Sequence, residues 1–301
     1  MSQRIVAALT AAALGLSAPV AHAAEPQWES SAPESLGIND PSCVPSGDIT
    51  EPVVLLHGTS NNASVWGNLV HLLQDQGACV WAFGYGADDV TLQNMIPSVK
   101  AIADLDDSAA EIADQVDYVR EVTGSDKVNL VGHSQGGMHI KTYTQMHDGA
   151  DHVSHAVALG GNFHGTTLNG QGEALSKIIA FAPHLAAFMA STAGIQQVVG
   201  SEFIKRLNAL PDTAPGVLYT SIYSPGDTTV TPNSSSQLAL GDGADVVNLD
   251  LSEVCGVAPR HDKLPTDPTV LSQVIFGLKR APGEGPDPAT CASGEPSVVG
   301  S

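Results

Sequence analysis

A chain of 301 residues, 43% of them hydrophobic, carries enough apolar material for a sizeable core, and an α/β fold of this length is expected as one domain. Acidic residues number 32 against 12 Lys and Arg, for a net charge of −20. Such acidity argues against nucleic acid as a partner and against electrostatic docking on anionic lipid, so any lipid contact has to be apolar.

The N-terminal residues 1–23 read as a secretory signal peptide: Arg4 gives a basic start, 5–20 is apolar and small, and Ala21-His22-Ala23 is an A-x-A cleavage pattern. Arg4 is the only charged residue in that segment, so its removal moves the charge from −20 to about −21. The apolar run is shorter than the ~20 residues a spanning helix needs, so stable membrane insertion is not expected. A secreted, extracellular protein is expected, with residues 24–301 as a single domain.

Residues 25–48 have little periodicity and read as an irregular arm. Order begins with Val53-Val54-Leu55-Leu56, a continuous apolar run of the kind found in strands buried on both faces of a parallel sheet. It runs into the loop His57-Gly58-Thr59. Trp66, Leu69, Val70 and Leu73 then recur at helical spacing, and 79–83 forms a second strand. Ile112, Val116 and Val119 mark a helix over 107–122, which Gly124 ends. Strands at 128–131, 153–159, 216–223 and 244–249 follow, with a closing helix around Val270, Val274, Ile275 and Leu278. Strands alternating with helices predict a mostly parallel, doubly wound sheet with helices on both faces.

Residues 168–211 interrupt that alternation. They are about two helices long, and 178–190 is unusually apolar for a surface connection. Either an ordinary core helix pair or a small cap over a binding site fits this pattern.

Cysteine usage adds to the secreted reading. Cys43, Cys79, Cys255 and Cys291 suggest two disulfides in an oxidising compartment. Cys43 precedes one strand and Cys79 opens the next, which favours Cys43 with Cys79. Cys255 with Cys291 then ties the tail to the loop after the last strand. No C-x-x-C spacing suggests a metal site.

The chemistry centres on Gly132-His133-Ser134-Gln135-Gly136, a G-x-S-x-G with an apolar strand before it and a helical pattern after it. That context is the sequence form of a nucleophile elbow, with Gly132, His133 and Gly136 around Ser134. A serine nucleophile needs a histidine to accept its proton and a carboxylate to fix that imidazole. The order Ser, acid, His requires an acid in a loop after a later strand and a histidine in the loop after the next. Asp227 and His261 fit, 93 and then 34 residues further on. Asp212 precedes its strand and so lies at the wrong sheet edge, and Asp242 and Asp245 flank the start of the sixth.

His261 is the only histidine after His184. His133 is expected to point away from the nucleophile's partner, and His57 to brace its loop. His139, His147, His152 and His155 are read as solvated or core residues, with no carboxylate or thiolate joining His152 and His155 as a metal pair. The backbone N–H groups of Thr59 and Gln135 are the expected oxyanion donors.

Val54-Leu55-Leu56-His57-Gly58-Thr59, Gly132-His133-Ser134-Gln135-Gly136-Gly137, Gly161-Asn162-Phe163-His164-Gly165-Thr166, Asp227-Thr228-Thr229-Val230-Thr231-Pro232 and His261 together resemble the secreted bacterial triacylglycerol lipases and esterases of the α/β-hydrolase superfamily, lipase class 2 type. The resemblance implies hydrolysis of fatty-acid esters by Ser134, Asp227 and His261, without an organic cofactor, on a lipid or ester substrate that can lie at a lipid–water interface. The same set of residues also suits a short-chain or polyester-cleaving esterase or an acyltransferase. A non-catalytic binding protein of this fold is disfavoured, because all three roles are filled in the right order.

Overall fold

A computed structural model describes residues 27–87, 92–96 and 98–291; the expected signal peptide at 1–23 lies outside the described residues. Six parallel strands form one sheet, β1 (Val53–Leu56), β2 (Val80–Trp81), β3 (Val128–His133), β4 (Val153–Leu159), β5 (Leu218–Tyr223) and β6 (Asp245–Asp250). Their order across the sheet is β2-β1-β3-β4-β5-β6. Every pairing is parallel, with Val54 opposite Leu130 and Leu56 opposite Gly132. The order reverses between β1 and β3, and a crevice opens at the C-terminal ends of strands where the order reverses.

Alternation along the strands builds the two cores. Val53, Leu55, Val131 and Val157 face one side, against Leu69, Val70 and Leu73 of α1 (Gly67–Asp75) and Val270, Val274 and Leu278 of α9 (Pro268–Lys279). Val54, Leu56, Leu130 and Ala156 face the other, against Ile112, Val116 and Val119 of α2 (Leu105–Thr123) and Ile140 and Tyr143 of α3 (Gln135–Met146). The period of two in a fully buried strand therefore covers both faces of the sheet with helices.

Asp104 caps α2 by accepting the Asp106 N–H, and Gly124 ends it in the left-handed conformation at φ 67°. The second strand is shorter than the expected 79–83, with ladder pairing only at Val80 and Trp81. Cys43 is joined to Cys79 and Cys255 to Cys291, with Cα separations of 5.8 and 5.6 Å.

The segment between β4 and β5 holds four helices rather than two: α4 (Gly172–Phe181), α5 (Pro183–Ala190), α6 (Thr192–Gln196) and α7 (Glu202–Asn208). Local breaks explain the difference. Pro183 opens α5, Ser191 at φ 67° separates α5 from α6 and caps α6 through the Gly194 N–H, and Ser201 caps α7 through the Ile204 N–H. A short helix, α8 (Leu251–Cys255), also follows β6, capped by Asp250.

Candidate active site

Ser134 sits between β3 and α3 with φ 57° and ψ −120°, a conformation that L-residues avoid. Two glycines make this turn possible. A Cβ on Gly132 lies 2.4 Å from the Gly136 carbonyl carbon, and a Cβ on Gly136 lies 2.1 Å from the Leu56 carbonyl oxygen. The helix therefore starts directly against the end of β1. Gln135 is the first residue of α3, so its N–H has no intrahelical acceptor and is available to an anion. Gly58 packs against the same turn, its Cβ position 3.1 Å from the Ser134 Cβ, which brings the Thr59 loop beside the serine.

Asp227 lies in the loop after β5 and is 4% exposed. One carboxylate oxygen accepts the Thr229 and Val230 N–H groups at 2.7 and 2.9 Å, and the other accepts Nδ1–H of His261 at 2.6 Å. A carboxylate accepts only, so Nδ1 carries a proton, and in the neutral imidazole the lone pair is then on Nε2. Thr166 Oγ1 donates to the Thr229 carbonyl at 2.6 Å and accepts the Thr231 N–H at 3.1 Å, so the Gly161–Thr166 stretch braces the Asp227 loop.

Ser134 and His261 line one cavity of about 400 Å³ together with Thr59, Asn162, Gln197 and the apolar residues Leu168, Leu175 and Val230. Leu168 and Leu175 come from the start of the helical segment, so it supplies part of the cavity wall. Asp212, Asp242 and Asp245 are elsewhere: Asp212 pairs with Lys141 at 2.7 Å, Asp245 pairs with Arg280 at 2.7 Å, and Asp242 is exposed.

His57 is buried, stacked on Tyr85 at 4.5 Å, and braces the loop through Nδ1 and the Gly58 carbonyl at 3.0 Å. Its pKa is lowered to about 4, chiefly by burial, with the Gly58 hydrogen bond opposing the fall and Lys100 adding to it. His139 packs edge-on to Tyr85 at 5.5 Å, and burial lowers its pKa to about 3. His155 is held by Asn129 at 3.1 Å and the Arg280 carbonyl at 3.3 Å. Among the described residues no three His, Cys, Asp or Glu side chains converge as a cation site.

His133 does not point away from His261. Its ring lies 4.7 Å from that of His261, and Nε2 contacts the His261 carbonyl at 3.1 Å. As the last residue of β3, it points opposite to its neighbours along the strand, and the sharp elbow carries it towards the loop after β6.

Sequence reasoning missed Gln197, which follows α6 and is 6% exposed. Its Nε2 donates to Thr59 Oγ1 at 2.9 Å and to the Ala193 carbonyl at 3.0 Å, and its Oε1 accepts from Asn162 Nδ2 at 2.9 Å. A carbonyl cannot donate, so the Ala193 contact fixes which way the amide faces. One of two adjacent glutamines in an apolar helical segment, it carries no motif that would have marked it.

The profile of the alpha/beta hydrolase fold family matches residues 51–176, from just before β1 to within α4. Aspergillus fumigatus lipase B is similar at 23% identity and a TM-score of 0.61, covering 79% of this chain and 54% of that one. This chain thus spans about half the length of that lipase. A Bacillus licheniformis lipase in its mature form is similar at 16% identity and TM-score 0.56, with 80% and 95% covered, and a Listeria innocua gene product at 15% and 0.52, with 79% and 99% covered. No curated protein sequence matches the chain. The parallel sheet, the elbow and these likenesses define the fold as that of the α/β-hydrolases.

Proposed function

We propose that the chain is a secreted serine lipase or carboxylesterase that hydrolyses fatty-acid esters, acylglycerols among them, through an acyl-enzyme on Ser134. The observation that carries this reading is the 2.6 Å bond from His261 Nδ1 to buried Asp227, in a loop that shares a cavity with Ser134. His261 Nε2 takes the Ser134 hydroxyl proton as Oγ attacks the ester carbonyl, and the Thr59 and Gln135 N–H groups receive the oxyanion. Collapse of the tetrahedral intermediate releases the alcohol, which leaves with the proton from Nε2. Water, deprotonated by the same nitrogen, then attacks the acyl carbon and frees the acid and Ser134. No organic cofactor is needed for these steps.

Segment 168–211 is the cap in this reading, its inner residues Leu168 and Leu175 meeting the acyl chain. Outside, Ile178, Phe181 and Phe188 are 50%, 93% and 42% exposed, which favours a water-insoluble ester presented at a lipid–water interface. Two disulfides support an oxidising, extracellular compartment. No described helix is long and apolar enough to cross a membrane.

A chain-length series of p-nitrophenyl esters, with and without an emulsified interface, tests the substrate class. Turnover of medium and long acyl chains, raised by the interface, is expected. Strict preference for two-carbon esters with indifference to the interface refutes the lipase reading.

A further inference from the structure

We infer that His133 is a positioning residue for the general base, fixing the loop of His261 to the turn that carries the nucleophile. The inference rests on the assignment of Ser134, Asp227 and His261 to catalysis. Four observations carry it. His133 and Ser134 are consecutive residues, so whatever His133 holds is held against the nucleophile's own strained turn. The carbonyl of His261 can only accept, so Nε2–H of His133 donates to it, at 3.1 Å. The two imidazoles lie 4.7 Å apart, tilted by 37°, so the His133 ring also limits where the base can move. On its other side Nδ1 has no hydrogen-bond partner among the described residues and faces Gly58, whose Cβ position is 3.0 Å from it.

His133 is therefore a wedge between the Thr59 loop and the His261 loop. Its ring is 5% exposed, and its pKa is lowered to about 3, first by burial and then by the neighbouring His261. A neutral ring there adds no positive charge beside the imidazolium that forms on His261 in each proton transfer. The hydrogen bond reaches the backbone of the base and leaves Nδ1 to Asp227 and Nε2 to the serine. A side chain acting this way sets the position of the base without touching substrate.

Two replacements separate the hydrogen bond from the bulk. His133→Phe keeps a planar ring but has no N–H, whereas His133→Gln keeps an N–H donor. With a short, soluble ester, His133→Phe is expected to lower kcat about tenfold to a hundredfold with KM within about twofold, because misplacing a general base by a fraction of an ångström affects the chemical step. His133→Gln is expected to restore most of that loss. The low-field proton resonance of the His261–Asp227 hydrogen bond is expected to broaden or move in His133→Phe while the melting profile stays cooperative. Wild-type kcat in His133→Phe, a kcat loss that His133→Gln does not restore, or a loss seen only in KM each overturns the inference. An inert Ser134→Ala beside a fully active His133→Phe refutes only the role of His133; a fully active Ser134→Ala refutes the catalytic assignment itself.

Discussion

The C-terminal edge of the sheet and the four helices between β4 and β5 meet at one cavity but are built on opposite terms. At the sheet edge each group is determined several times over: Gly136 has no room for a methyl group, both oxygens of Asp227 are occupied, and the Gly58 loop lies against Ser134. The helices α4 and α5 leave Ile178, Phe181 and Phe188 half or more uncovered or nearly so, and Pro183 and Ser191 divide them into short pieces. Reactive geometry is thus placed on rigid strands ends, and the apolar surface on a lightly packed segment. Gln197 is the seam, a residue of the helical segment whose amide reaches Thr59 and Asn162 at the sheet edge.

Substitutions on the two sides should differ in kind as well as size. Asp227→Asn leaves the fold intact and removes the group that orients His261, so kcat is expected to fall by about 10⁴, read by steady-state kinetics with unchanged circular dichroism. Gly136→Ala forces a methyl group into the Leu56 carbonyl and is expected to destabilise by about 3 kcal/mol in urea unfolding. Gln197→Ala leaves buried Asn162 Nδ2 without its acceptor; a loss of about 1–3 kcal/mol is expected, appearing in stability and in kcat together.

His139→Phe tests the buried sheet side by pH. The unfolded chain binds a proton at His139 near pH 6.5, and the folded chain resists it down to about 3, so the wild-type protein loses stability as pH falls through that interval. Removing the group should flatten the fall by up to about 1.4 kcal/mol per pH unit, measured by melting at successive pH values. The smallest effect is expected at Phe181→Ser. Its ring is 93% exposed, so stability should change by less than about 0.5 kcal/mol, while activity on emulsified ester falls and activity on a soluble ester does not.

The same contrast decided what was legible in the sequence. That Ser134 sits at a strand-to-helix turn and that Asp227 and His261 lie in loops at the same sheet edge was readable, because an elbow has a local form and because parallel strands put their following loops at one edge. Both disulfides followed from where strands begin and end. The number of helices in 172–208 was not readable, because its apolar composition hides the breaks at Pro183, Ser191 and Ser201, which depend on caps rather than periodicity. His133 was misdirected because alternation along β3 sets the face of a side chain but not its path around the elbow. Gln197 acts across 138 residues of sequence from Thr59, and no spacing rule spans such a contact.

Covalent trapping of the nucleophile tests the central claim most directly. Treated with a fluorophosphonate, the folded protein should gain one adduct, mapped to Ser134 by peptide mass analysis, and Ser134→Ala should gain none. No adduct on the folded wild-type protein, or equal labelling of the Ser134→Ala variant, contradicts nucleophilic catalysis at the elbow.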